Sequence, residues 1–308
     1  MIAAPRAVIE SEQEAALNLW DKVFEDTSRD YFSRYFDSDE QYQPGDLIGI
    51  WDGATLASTV LLCRRRLVWN GGALLCGAIA NVATDPGYRR RGFSSLLLRE
   101  IILKMQREEF DFSLLGTGTH AHYVSLGWEQ ILRPQLTIDL RADTPFRTAG
   151  NWQPVNSINS LLSPYEQSPR PLQFIRSPRY FDEWAGWVWR SHAAEIHSMD
   201  SGYVVAEFPG DHEEPVLLLE WRAADAASDH LLLQIVIAEA SRRLYASVFL
   251  SAIPQFIDKS ALEDFGILRE ETEGAGMIRR ISLLPGDSAQ VGAAYRNGSA
   301  AWWESDGF

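Results

Sequence analysis

The chain has 308 residues, of which 46% are hydrophobic, 11% aromatic and 23% charged, with a formal net charge of -14. That length admits two domains of ordinary size, and the apolar and aromatic content excludes a disordered chain. The acidic balance excludes a general nucleic-acid binder whose affinity rests on a basic face.

The first residues, MIAAPRAVIESEQEAAL, reach Glu10, Glu12 and Glu14 before any long apolar core, unlike a signal peptide. The runs LLLREIIL and HLLLQIVIA are too short and too charged to span a bilayer. A cytoplasmic protein with no membrane or nucleic-acid partner is therefore expected. Ser11 and Glu14 are spaced as a capping box, which predicts a helix packing Ala15, Leu17, Trp20, Val23 and Phe24 along one side. A second helix is expected around Tyr31, Tyr35 and Phe36. Pro44-Gly45 then turns the chain into the strand DLIGIW, and Trp51-Asp52-Gly53-Ala54 reads as a hairpin. ASTVLL and RLVW continue as strand, and Asn70-Gly71-Gly72 marks the next hairpin. Cys63 and Cys76 cannot build a disulfide framework, and no Cys/His spacing matches a zinc site, so no metal is expected. ALLCGAIANVAT is too uncharged for a strand with one wet face and suits the centre of a covered sheet.

From Phe93 to about Glu108 the period becomes helical, with Phe93, Leu97, Ile101 and Met105 four apart. DFSLLG is another buried-type strand, HAHYVSLG a short helix ending at Gly127, and ILRPQLTIDL further strand. The turn-rich RADTPFRTAGNWQPVN predicts a domain junction near residues 140–155. Beyond it a similar order returns in fainter form. A helix around Phe181–Trp189 precedes GYVVAEF, the Pro209-Gly210-Asp211 turn, VLLLEW, a helix from about Asp229 to Arg243, ASVFLS, SALEDFG and MIRRISL. Gly92 precedes Gly127 by 35 residues, and His230 precedes Gly266 by 36. The expected fold is α/β (α+β by some schemes). It is a mixed, mainly antiparallel sheet with flanking helices, duplicated into domains 1–142 and 150–308. One domain with a long C-terminal extension is the alternative.

The segment Asn81-Val82-Ala83-Thr84-Asp85-Pro86-Gly87-Tyr88-Arg89-Arg90-Arg91-Gly92-Phe93-Ser94-Ser95 carries the chemistry. A buried strand ends, Pro86-Gly87 turns the chain, and a helix starts near Gly92. The first N–H groups of a helix have no intrahelical acceptor, and with the helix dipole they can hold a phosphate. The arginines add forked donors suited to phosphate oxygens. Three consecutive arginines also suit an ordinary solvated turn, and the stretch is neither a P-loop nor a G-x-G-x-x-G fingerprint. The order of hairpins, buried strand, basic turn, amphipathic helix and second buried strand favours the phosphate cradle.

From Arg89 through Gly92 to Ser94 the chain resembles the core signature (Q/R)-x-x-G-x-(G/A) of the GCN5-related N-acetyltransferase (GNAT) family. Ser94 stands where the family usually has Gly or Ala. NVATDPGYR is similar to the family's strand-four ending, and GTGTHAHYVSLGWEQ to the stretch from its fifth strand into the following helix. The likeness is specific over residues 45–140. It implies an acyl-CoA N-acyltransferase fold, acetyl-CoA as cosubstrate, and a small-molecule or peptide amine as acceptor. The implied cofactor contacts are Asn81, Val82, Ala83, Thr84, Arg89, Arg90, Arg91, Gly92, Phe93, Ser94 and Ser95. Backbone at Asn81, Val82 and Ala83 would pair with the pantetheine arm, and N–H groups from Arg90 through Ser95 would bind the pyrophosphate.

For catalysis, Tyr123 lies in Tyr-x-x-x-Gly-Trp, which resembles the family's Tyr-x-x-x-Gly-Phe, and a phenol there can serve the departing thiolate. The backbone N–H of Val82 or Ala83 would polarise the carbonyl. The base is open: strand four offers Asn81 but no carboxylate, His120 and His122 lie near Tyr123, and ordered water is a further candidate. Asp111 reads as structural, and the carboxylate after Phe308 is another group that could approach the site. The C-terminal half resembles a degenerate second copy: RAADAASD has no Arg-x-x-Gly turn, and Leu262 stands at the position of Tyr123. Its expected job is to complete the core sheet and wall the acceptor pocket, with Trp184, Trp187 and Trp189 mostly core. An acyl-CoA-binding or regulatory module without enzymatic activity, and a scaffold with no ligand, are the competing readings. Monomer and homodimer are both open.

Overall fold

The structure, a computed structural model, describes residues 4–141, 152–155 and 158–307. They divide into two compact units, one reaching to Ile131 and including Gly274–Gly292, the other comprising Leu132–Glu273 and Ala293–Gly307.

In the first unit, α1 (Gln13–Val23) and α2 (Arg29–Asp37) follow the two-residue β1 (Arg6–Ala7). Helix α1 is entered through a tight turn at Glu10–Glu12, not from Ser11. Glu12 reaches back to the Ile9 N–H (3.2 Å) while its carboxylate is gripped by Arg6 (2.7 Å). The reciprocal contact is thereby made two residues earlier than the Ser11–Glu14 spacing suggests. Ser28 caps α2 by accepting from the Tyr31 N–H (3.3 Å).

Strands β2 (Leu47–Asp52), β3 (Thr55–Trp69) and β4 (Gly72–Thr84) form an antiparallel meander. The Asn70-Gly71 turn has both residues at positive φ (46° and 77°), as a two-residue hairpin requires. Helix α3 (Phe93–Arg107) then crosses over to β5 (Phe112–Gly116), which runs parallel to β4. Leu97, Leu98, Ile101, Ile102 and Met105 of α3 pack on Ile48, Ile50, Val60, Leu62 and Ile79. Each such side chain, fully buried, contributes roughly 1.5–3 kcal/mol. A Cβ on Gly77 would lie 2.3 Å from Met105 Sδ, so a glycine is what lets α3 seat on β4. The first sheet has the order β1-β2-β3-β4-β5-β13-β6, with β6 at Glu129–Gln130 and β13 at Gly276–Arg280.

Two features of this sheet shape the site. Parallel pairing of β4 with β5 is confined to Cys76–Ala78 against Phe112–Leu114, although β4 runs on to Thr84. Beyond it the strands part. In addition, β4 gains one residue against β3 between the partners of Leu61 and Thr59, and there Asn81 takes a left-handed φ of 47°. This is a β-bulge at the mouth of the divergence.

The second unit has the sheet order β12-β7-β11-β10-β9-β8. Its strands are β7 (Arg133–Leu140), β8 (Glu195–Met199), β9 (Gly202–Glu207), β10 (Val216–Ala223), β11 (Ser247–Leu250) and β12 (Gly266–Glu273). Helix α5 (Ala226–Arg242) connects the parallel pair β10 and β11, as α3 connects β4 and β5. The fold is thus mixed α/β with two mostly antiparallel sheets. Strands β8 and β12 and the helix Pro285–Arg296 were not signalled by the sequence. Trp184 and Trp189 are core, as expected.

Sheet membership departs from the contiguous division 1–142 and 150–308. Strand β7 lies between β11 and β12, and β13 lies between β5 and β6. Leu136 and Ile138 of β7 enter the core of the second unit, and Met277 of β13 enters the core of the first. Each strand therefore buries its apolar face in the sheet it joins. Most of the expected junction, residues 142–151, lies outside the described residues.

Candidate active site

The turn after β4 is built by Asp85. Its carboxylate accepts from the Gly87 N–H (2.9 Å) and pairs with Lys22 (2.7 Å), and Lys22 holds it below the usual carboxylate range. Arg90 and Gly92 then take positive φ (63° and 78°). A Cβ at Gly92 would meet nothing within 4 Å, so the backbone angle is what calls for glycine there. No side chain caps α3. The N–H groups of Gly92, Phe93, Ser94 and Ser95 find no acceptor among the described residues, and the first helical bond runs from the Leu96 N–H to Gly92 O (3.0 Å). Arg91 donates to Gly87 O (3.1 Å) and lies 4.9 Å over the Tyr88 ring. Among the described residues none of Arg89, Arg90 and Arg91 pairs with a carboxylate.

Gly92, Phe93 and Ser94 face a cleft of about 280 Å³. Val82, Thr84, Tyr88, the stretch Arg89–Ser94, Val23, Thr119, His122 and Tyr123 line it, with no Asp or Glu among them. Helix α4 (His120–Val124) supplies the far wall. Tyr123 is 8% exposed, packs edge-on against Trp128 (centroids 6.1 Å apart), and burial pushes its pKa up to about 12. It keeps its proton at neutral pH. Burial moves His122 the other way, below the usual imidazole value, and its Nε2 has no hydrogen-bond partner among the described residues. A neutral ring with an open nitrogen therefore stands beside a protonated phenol.

The structure separates the remaining candidates. His120 turns away: its Nε2 donates to Gly274 O (2.7 Å), and it is absent from the cleft wall. Asp111 accepts from the Leu75 N–H (2.7 Å) and ties β4 to the start of β5. Asn81, Ala83 and Ser95 lie off the wall, and the carbonyls of Asn81 and Ala83 accept from Thr59 (3.2 Å) and Ser58 (2.8 Å). Val82, Thr84, Arg89, Arg90, Arg91, Gly92, Phe93 and Ser94 are brought together on the wall of this one cleft. The carboxylate of Phe308 lies outside the described residues. Val23, Tyr88 and Thr119 were not singled out by sequence; the position of Tyr88 beside the arginine run was the available signal.

Residues 4–131 match the family model for the acetyltransferase (GNAT) domain. Over this segment the chain is similar to the GNAT acetyltransferases. No curated protein matches the chain in sequence. Among solved structures, a conserved protein of Enterococcus faecalis V583 is 15% identical, with 92% of this chain and 73% of that one covered and a TM-score of 0.71. Eis1 of Mycobacterium abscessus is 14% identical (92% and 74% covered, TM-score 0.69). A GCN5-related N-acetyltransferase of Kribbella flavida is 17% identical (96% and 74%, TM-score 0.67). At these identities the likeness is one of fold.

The second unit repeats the strand–helix–strand order of the first, without such a cradle among its described residues. At the start of α5, Asp225 turns its own carboxylate onto the Ser228 N–H (2.8 Å), so a fixed negative charge occupies the helix end. Arg222 is spent on Gln255 (2.9 Å) and on Ser168 O. Leu262 is fully buried and offers no hydroxyl. Among the described residues no group of three or more His, Cys, Asp or Glu converges as a metal site, and no helix is long and apolar enough to cross a membrane.

Proposed function

We propose that the protein is an acetyl-CoA-dependent N-acetyltransferase that acts on a primary amine of a small molecule or peptide. One observation carries the reading: the unsatisfied N–H groups at the start of α3 and the protonated Tyr123 wall the same cleft. The match of residues 4–131 to the acetyltransferase (GNAT) domain model supports it. In this reading the α3 donors and the arginines hold the diphosphate, and the parting of β4 and β5 admits the thioester. The amine nitrogen attacks the thioester carbon, the C–N bond forms, and the C–S bond breaks. The Val82 N–H polarises the carbonyl. His122 takes the proton that the amine loses, directly or through water. The Tyr123 phenol, with a pKa near 12 against about 8.5 for a thiol, keeps its proton and donates a hydrogen bond to the leaving thiolate. Solvent then protonates the thiolate. Both cysteines are free and buried, which agrees with a reducing compartment, and we assign the activity to the cytoplasm.

The test is calorimetry with acetyl-CoA followed by thiol release against polyamines, aminoglycosides and amino-acid derivatives. Saturable binding with turnover is the expected result, and absence of binding defeats the reading. No Asp or Glu lies among the described residues of the cleft wall, and the second reading is an acyl-CoA-binding or regulatory module. Binding without turnover on any amine is its signature.

A further inference from the structure

We infer that Thr59, oriented by Trp20, is the positioning residue that aims the Val82 N–H at the thioester carbonyl; this rests on the acetyltransferase reading above. Trp20 Nε1 donates to Thr59 Oγ1 (2.9 Å), and Thr59 Oγ1 lies 3.2 Å from Asn81 O. An indole N–H only donates and a carbonyl only accepts, so the direction of the relay is fixed: indole to hydroxyl, hydroxyl to carbonyl. Trp20 and Thr59 are both 0% exposed, which leaves no water to substitute for either partner.

The carbonyl they hold belongs to the bulge, where Asn81 has a φ of 47°. A left-handed non-glycine residue persists only where its surroundings fix it. In a trans peptide the C=O and the following N–H point in opposite directions. Drawing Asn81 O toward Thr59 thus turns the Val82 N–H away from β3. On the other side of Val82, the Ser58 hydroxyl, also 0% exposed, donates to Ala83 O (2.8 Å). Two consecutive β3 hydroxyls therefore hold the carbonyls of the residues on either side of Val82, the one bulge residue on the cleft wall, and the Thr59 bond holds the peptide that carries the Val82 N–H. These are the two hydroxyl residues within the apolar run LASTVLL.

The test compares acetyl-CoA with S-ethyl-CoA, which keeps the two-carbon group and lacks its carbonyl. Calorimetry on the full chain is expected to show acetyl-CoA binding about fivefold tighter, the worth of one hydrogen bond. Thr59→Val is expected to bring that ratio to about one while the Kd of free CoA moves less than about twofold, and Thr59→Ser to keep the ratio. An unchanged ratio in Thr59→Val, or equal binding of both ligands to the unaltered protein, overturns the inference. Failure of the unaltered protein to bind any CoA species instead overturns the acetyltransferase reading. If Thr59→Val does not fold, the double variant Trp20→Phe/Thr59→Ala removes the hydroxyl without orphaning the indole, and the same ratio decides.

Discussion

The rings of His122 and Tyr123 stand edge to face with centroids 5.0 Å apart, and burial shifts their pKa values in opposite directions. One surface thus offers a neutral nitrogen and a phenol that holds its proton, which suits a reaction that removes one proton and stabilises one thiolate.

Replacing Tyr123 with Phe should lower kcat by roughly 10²- to 10³-fold, the usual loss for one preorganised donor. Acetyl-CoA affinity should stay within about twofold, because the ring and its contact with Trp128 remain. Steady-state rates alongside calorimetry make the comparison, and wild-type turnover would remove Tyr123 from the chemistry.

For His122 the sign follows from its burial. The folded value lies below 6.5, so the unfolded chain binds the proton more readily and the neutral ring dominates at neutral pH. Activity should fall on the acid side with a midpoint below 6.5, and His122→Gln should erase that limb and cost about 10²-fold or more in kcat. The contribution of this group to stability should likewise be lost as pH falls from 6.5 through the lower folded value. A rate profile whose acid limb survives in His122→Gln assigns the limb to another group.

Gly92→Leu should abolish measurable acetyl-CoA binding. Its φ of 78° costs an L residue roughly 1–2 kcal/mol, and relieving that strain shifts the turn that presents the free donors. Titration calorimetry checks this, with thermal unfolding to separate lost binding from lost fold. Full affinity in a folded variant would show that the α3 terminus does not hold the ligand.

In the second unit, Asp225→Ala should destabilise by about 1 kcal/mol through loss of a helix cap. It should leave acetyl-CoA affinity untouched, since Asp225 bonds only its own helix end. Urea unfolding and binding measured together decide the point.

A fragment ending at Arg141 should fail to unfold cooperatively, because β13 is missing from between β5 and β6. Circular dichroism melting of the fragment, alone and mixed with the remainder of the chain, reads this out. A sharp transition in the isolated fragment would contradict the sheet order.

What could be read from residues alone was what is local. The Asn70-Gly71 hairpin, the helical period from Phe93, the Arg89–Gly92 turn and the Tyr123 motif each depend on neighbours a few positions away, and each stands where expected. Partner choice between distant strands is not encoded that way. RPQLTIDL and MIRRISL are both alternating strands, and neither pattern says which sheet takes it. The choice between His120 and His122 turns on the rotation of a one-turn helix and on Gly274, far along the chain. Thr59 looked like an ordinary strand residue because its importance lies in a bond to a bulge that the periodicity of β4 does not show.

The reciprocal placement of β7 and β13 bears on how such a gene can change over time. The half that shows no anion cradle among its described residues still donates an interior strand to the sheet that carries one. Deleting that silent half would open a gap beside β5 and expose unpaired strand to other copies. Inheritance of the two halves is thereby tied together by backbone pairing, whether or not the second ever meets a ligand.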